Sequence, residues 1–338
     1  MTELESQPCA AEAGRAFTPG GALLRAAPRL PSRRAALLVV GFCGAWVALQ
    51  LAFGLPLCML TAVVAMAMPL STDTLRTCEV VTAPTGVATT GGSVLGALAA
   101  VVLLSRWGGP TLTAMGLRRE GTWAREIVLG MALGPIAFAL VLALELAFGW
   151  ASVTPGSISP GGLLLGTFGF TGVAVNEEVA TRGFLLQVLG RAWNPPVALL
   201  VSSGLFAALH GFNPNATPEA VAFLIGAGLA LAWGYFATGR LWLPIAFHWS
   251  WNFAQGPLFG FPVSGLPGDG VLAVTPTAAD WATGGAFGPE AGLVGLAAEA
   301  VVATVIFGWW RARGSAAATA AAGIGALASL VFLLLVAR

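Results

Sequence analysis

The sequence has no lysine and little charge of any kind. All 16 basic residues are arginine, they face 15 acidic ones, and charged residues make up only 9% of the 338. Soluble domains carry about 25%, so a soluble cytosolic enzyme is excluded. A net charge of +1 without a basic cluster excludes a nucleic-acid binder. Cysteine is scarce. Cys9, Cys43, Cys58 and Cys78 show no C-x-x-C spacing and read as scattered apolar residues rather than a disulfide or metal framework. Histidine occurs twice, as His210 and His248.

What the chain does have is apolar length. Hydrophobic residues are 57% of it and the mean hydropathy is +0.83, which excludes disorder and points to an all-α, polytopic membrane bundle. The polar, arginine-bearing stretch 1–34 reads as a cytoplasmic N-terminal tail rather than a cleaved leader, because the apolar run behind it starts late and is too long. Apolar blocks then fall at 35–57, 86–104, 126–149, 161–190, 196–211, 219–238, 241–260, 291–310 and 316–336. They predict eight or nine transmembrane helices, with 57–70 a further apolar stretch. The chain divides into the tail 1–34, N-terminal membrane helices over 35–150, a core at 161–260 and C-terminal helices at 291–338.

Orientation follows from the arginines. With the N-terminus inside and nine alternating spans, 13 of the 16 fall on the cytoplasmic side; Arg76 and Arg338 fall outside and Arg182 lies within a span. The segment 261–290, with Asp269, Asp280 and Glu290, is then an outside loop of a multi-pass cell-membrane protein. The pairs Gly92/Gly96, Gly130/Gly134 and Gly162/Gly166 suit close helix packing.

An ionisable group at bilayer depth costs roughly 2.5–3.5 kcal/mol or more, so it needs a partner or a purpose. The residues in that position are Glu145, Glu177, Glu178, Arg182, His210, His248 and Glu299, with Asn252 as a neutral companion. Glu145, near a helix end, reads as a snorkelling or helix-contact residue, and Glu299 as structural or as part of a proton or helix-pairing arrangement. Glu178 and Arg182 are spaced i, i+4 and predict an ion pair on one helix face, while Glu177, about 100° away, is left to face a cavity. Phe206 lies one turn before His210 and can wedge its ring, and His248 and Asn252 share a face. Counted from the predicted cytoplasmic ends, Glu177, His210 and His248 lie roughly 12–21 Å deep. One buried, water-accessible pocket could then gather a carboxylate, two imidazoles and an amide, which is the equipment of peptide hydrolysis: a base for water, a group to hold it and a donor for the oxyanion. The tryptophans Trp242, Trp249, Trp251, Trp309 and Trp310 read as interfacial or packing residues.

Glu177-Glu178-x-x-x-Arg182, Phe206-x-x-x-His210 and His248-x-x-x-Asn252, in this order on successive membrane segments, resemble the three motifs of the CPBP intramembrane protease family, which includes the CAAX prenyl endopeptidases and bacteriocin-immunity-type proteins. The resemblance covers about 161–260. It implies a helical membrane fold with a central polar cavity, Glu177 as water-activating base, His210 and His248 as water-positioning or metal-binding groups, Asn252 as oxyanion stabiliser, and Glu178, Arg182 and Phe206 as supports. Two histidines and Glu177 would make a zinc set with one open position; the same residues also suit metal-free hydrolysis. Expected partners are membrane lipid and a membrane-associated peptide or protein substrate.

Other protease chemistries fail on inventory: there is no H-E-x-x-H, Asp73, Asp269 and Asp280 sit in predicted loops, and Ser203 is not in a G-x-S-x-G. The remaining alternatives are a non-proteolytic scaffold or immunity protein on the same fold, and a proton-coupled transporter using Glu177, His210 and Glu299; the absence of inverted halves counts against the latter.

Overall fold

The computed structural model describes residues 29–67, 84–312 and 315–336. The tail up to residue 28, with Cys9, and the stretch holding Asp73, Arg76 and Cys78 lie outside the described residues, as do Arg313, Arg338 and the Cys58 side chain. Cys43 is a free, half-buried thiol.

Among the described residues, eleven α-helices run in chain order: α1 Ser32–Ala67, α2 Pro84–Ser105, α3 Trp123–Phe148, α4 Pro160–Glu178, α5 Leu186–Ala192, α6 Pro195–His210, α7 Pro218–Thr238, α8 Trp242–Phe253, α9 Asp280–Thr283, α10 Leu293–Arg311 and α11 Ala316–Val336. Most apolar blocks of the sequence become single helices. The block 161–190 instead divides into α4, a π-helical stretch Val179–Leu185 and α5, and the block 241–260 into α8 and a second π-helical stretch, Ala254–Leu258. Segments within α1, α3, α7 and α10 are long and apolar enough to cross a membrane, and Thr90–Ser105 and Pro195–His210 are shorter apolar helices.

The three motif-region helices that start after loops share one local device. Ser159, Asn194 and Thr217 sit at the N-caps of α4, α6 and α7 and accept backbone N–H bonds from Gly162, Val197 and Ala220 at 3.0, 2.9 and 3.1 Å. In each case a proline follows at the first helical position, where its missing N–H costs nothing.

An all-α fold is not the whole account. Ala151–Pro155 (β1) and Leu272–Pro276 (β2) pair antiparallel, in the register Ala151↔Pro276 to Pro155↔Leu272. These strands tie the end of α3 to the 261–290 segment, which is therefore folded rather than a free loop. At this same end Asn213 and Asn215 of the α6–α7 turn donate to the carbonyls of Ser264 and Gly265.

The arginine-rich loops gather elsewhere. Leu30 N–H donates to Arg191 O, Arg34 to Trp107 O, Arg191 to Gly108 O, and Trp242 Nε1–H to Arg118 O. Arg240, in the α7–α8 turn, grips the fully buried Glu126 at the start of α3, with Nε 2.9 and 3.1 Å from the two carboxylate oxygens.

Close helix contacts follow the glycine pairs. A Cβ on Gly92 or Gly96 of α2 would strike the backbone of α1 at Gly54 or Gln50, and one on Gly130 or Gly134 of α3 would strike α8 around Ala246–Phe247 or Ser250. Gly162 and Gly166 instead face Ile158 and Pro257. Two apolar cores flank the motif helices. One joins α3, α8 and α10 through Leu133, Phe138, Phe247 and Val302; the other joins α1, α2 and the 179–189 stretch through Phe42, Val101, Phe184 and Leu186. Large apolar side chains also point outward, among them Leu37 and Val40 on α1, Leu164 and Phe168 on α4 and Leu327 on α11. So much exposed apolar surface suits lipid rather than water.

Candidate active site

Glu177 and Glu178 are the last two residues before the chain winds from α4 into the π-helical stretch. Such a stretch carries an extra residue per turn and disturbs the ordinary carbonyl pairing; the Thr181 hydroxyl donates to the Glu177 carbonyl at 2.6 Å and satisfies it. The predicted i, i+4 pair is present, with Arg182 Nη1 2.8 Å from Glu178 Oε1 and both side chains essentially inaccessible. Arg182 also donates to Thr181 Oγ1 at 3.0 Å and to the Gly228 carbonyl of α7 at 2.9 Å, and its guanidinium lies 4.5 Å from the centre of the Phe206 ring. The cation is thus fully engaged and joins α4, α6 and α7.

Phe206 packs against both imidazoles. Its ring centre is 4.6 Å from that of His210 and 6.1 Å from that of His248. His210 Nδ1 is 2.9 Å from the Phe206 carbonyl. A carbonyl can only accept, so Nδ1 carries the proton and Nε2 presents a lone pair. His248 Nδ1 is 2.9 Å from Glu178 Oε1, which by the same reasoning turns its Nε2 outward as well. α8 is fixed in rotation by Ser250, whose hydroxyl donates to the Gly130 carbonyl at 2.6 Å and accepts from Gly134 N–H at 3.1 Å. With that face pinned to α3, His248 and Asn252 are left to line the cavity.

The three groups meet at Glu177. Its Oε2 lies 3.9 Å from His210 Nε2 and 3.9 Å from His248 Nε2. That oxygen has no hydrogen-bond partner among the described residues, and the side chain keeps 25% of its surface exposed. Two atoms 3.9 Å apart are too far for a direct hydrogen bond and close enough for one water at about 2.8 Å from each. Asn252 is buried, lines the cavity, and its carboxamide makes no hydrogen bond among the described residues.

The donor set, two imidazole lone pairs and a carboxylate, has the chemistry of a zinc site. Its spacing does not. A tetrahedral zinc with bonds of about 2.1 Å sets its ligand atoms about 3.4 Å apart, closer than the 3.9 Å measured here. Among the described residues no three acidic, histidine or cysteine side chains stand as a metal-holding group. As arranged, the site fits a water molecule.

The cavity reaches further than the motif residues. Its walls include Ser264, Glu290 and Glu299, together with Trp251. Glu290, expected in an outside loop, is 3% exposed; it accepts from Ser264 Oγ–H at 2.6 Å and from Trp251 Nε1–H at 3.4 Å. Trp251 is therefore a cavity residue, whereas Trp242, Trp249 and Trp309 donate to Arg118 O, Thr167 O and Thr319 Oγ1, as packing residues would. Glu299 faces the same cavity. Glu145 does not snorkel but is a buried helix residue, with no hydrogen-bond partner for either oxygen among the described residues; α3 ends at Phe148 and β1 follows at once. Ser203 is buried where α6 meets α7, its backbone against Gly228, which agrees with setting it aside as a nucleophile.

Compared with known proteins, residues 159–254 match the family model described as type II CAAX prenyl endopeptidase, Rce1-like. No curated protein and no solved structure matches the chain.

Proposed function

We propose, from the premise that its 159–254 segment marks the chain as a CPBP/CAAX-type intramembrane protease, that it is an endopeptidase cutting a membrane-associated peptide or protein with water activated by Glu177. The observation that carries this reading is the placement of Glu177 Oε2 at 3.9 Å from each of the two imidazole Nε2 atoms.

A water between them donates one hydrogen to Glu177 and the other to a ring nitrogen, so its lone pair is free to attack. As the water oxygen bonds to the substrate carbonyl carbon, its proton passes to Glu177. The carbonyl π-electrons move onto oxygen, and the Asn252 carboxamide donates to the developing oxyanion. Collapse breaks the C–N bond, and the proton held by Glu177 goes to the leaving nitrogen. Glu178 takes no part in the bond changes; it holds His248 by Nδ1, and Arg182 holds Glu178. No step is drawn through a metal, since the spacing is wider than a zinc site requires.

The gathering of arginine-bearing loops at one end supports placing that end in the cytoplasm, as the positive-inside rule directs, in a multi-pass cell-membrane protein whose apolar blocks give eight or nine spans. CAAX-type or immunity-related processing is the expected setting, with lipid as the surrounding partner.

The test compares protein termini in membranes carrying wild type or Glu177→Gln, with metal content measured on both purified proteins. New termini present only with wild type support the reading. Identical termini at equal expression overturn it, and stoichiometric metal that departs with Glu177→Gln would replace the metal-free mechanism by a metal-assisted one.

A further inference from the structure

Glu299 is the feature the hydrolytic mechanism leaves unused. It sits on α10, outside the family-matched segment, and is 3% exposed. Neither carboxylate oxygen has a hydrogen-bond partner among the described residues. The side chain reaches to α7, where a Cβ on Gly226 would collide with its Oε2, and it lines the cavity that also holds His210, His248 and Asn252. Burying a carboxylate without a partner is costly. The cavity itself supplies no relief: its lining includes Glu290, a second acid, and no arginine. Arg182, the neighbouring buried cation, is committed to Glu178, Thr181 and Gly228.

The remaining wall is apolar, with Leu224, Ala227 and Leu231 of α7 and Phe247 of α8. A wall of apolar side chains beside two carboxylates suits a basic side chain, whose methylene stem packs on hydrocarbon and whose head pairs with acids. Glu290 is already steadied by Ser264 and Trp251, so it can accept from an incoming cation without first being reoriented.

We propose that Glu299 and Glu290 form a recognition subsite for a lysine or arginine side chain of the substrate, beside the bond that is cut. The proposal rests on the protease reading only for the word substrate; the cation site itself does not depend on it. The subsite disfavours a peptide that would place a free C-terminal carboxylate at this wall, because two acids would face it.

Two measurements test it. In the first, Glu177→Gln protein in detergent is titrated with n-butylguanidinium and with its uncharged isostere n-butylurea, and binding is read by calorimetry. The expected result is at least a ten-fold preference for the cation, abolished in Glu177→Gln/Glu299→Gln and partly kept in Glu177→Gln/Glu299→Asp. In the second, the termini generated by wild type are compared with those of Glu299→Gln; wild-type cuts should lie within a few residues of lysine or arginine, and this bias should disappear in the variant while cleavage continues. Equal binding of the two probes, or a preference that survives Glu299→Gln, overturns the subsite. Cation binding without any Glu177-dependent termini would leave the subsite standing and remove the protease. Glu177-dependent termini without basic bias and without probe discrimination would do the reverse. Glutamine is isosteric with the unpartnered acid it replaces, so the variant is expected to fold, and an unchanged melting temperature checks that it has.

Discussion

His248 Nδ1 and Arg182 Nη1 both converge on one oxygen, Oε1 of Glu178, at 2.9 and 2.8 Å. A single buried carboxylate atom therefore sets the orientation of the His248 ring and neutralises the cation that ties three helices together. This division of labour explains why two adjacent acids are needed. Glu178 is spent on structure, which leaves Glu177 exposed enough to reach water.

The two acids should consequently fail in different ways. Glu177→Gln is expected to lower kcat by about 10²–10⁴-fold, the usual contribution of a general base, with the melting temperature little changed. Steady-state cleavage of a substrate identified from the termini, alongside thermal unfolding in detergent, measures both.

Arg182→Met should instead act on stability. It leaves Glu178 buried with its charge uncompensated, a loss of about 3–5 kcal/mol for a pair of this kind. Glu178→Gln/Arg182→Met should recover part of that loss while activity stays low, because His248 loses its orienting acceptor. Unfolding midpoints of the single and double variants check the coupling; additive effects would contradict the buried pair.

Asn252→Ala should reduce kcat by about 10²–10³-fold, the cost of losing one oxyanion donor, with KM little affected. Its carboxamide makes no hydrogen bond to the described protein, so stability should scarcely move. A variant that loses stability but not turnover would assign Asn252 to packing.

Gly134→Ala probes the contact that rotates α8. A Cβ there would collide with the Ser250 backbone, so the helices must part and the Ser250 bonds to Gly130 and Gly134 must lengthen. Overpacking of this sort costs about 1–3 kcal/mol, and because His248 and Asn252 ride on α8, turnover should fall with stability. Gly308→Ala is the control, since nothing lies within 4 Å of a Cβ at that position; it should be silent in both assays.

Much of this arrangement was readable before any coordinates. The apolar blocks located the helices because membrane helices carry their signal in length, and the i, i+4 pairs Glu178/Arg182, Phe206/His210 and His248/Asn252 announced shared faces because helical spacing is fixed. What could not be read was contact between distant segments. Glu290 lies in a stretch rich in glycine and proline, which reads as a loop, and its partners Ser264 and Trp251 are 26 and 39 residues away. Glu126 stood at the edge of an apolar block, and nothing local indicated that Arg240 would cross to it. Glu145 lies near a helix end, and nothing local decides between snorkelling and a helix contact; its burial favours the contact. The π-helical winding at Val179–Leu185 had no sequence signal; it became visible only once the chain had folded.

The cavity draws the motif residues His210, His248 and Asn252 from one part of the chain and its far wall, with Ser264, Glu290 and Glu299, from another. The two can drift independently over evolutionary time. Proteins identical at residues 177, 210, 248 and 252 could then differ in what the cavity admits through changes beyond position 260 alone, and an excised 159–254 fragment would lack that wall.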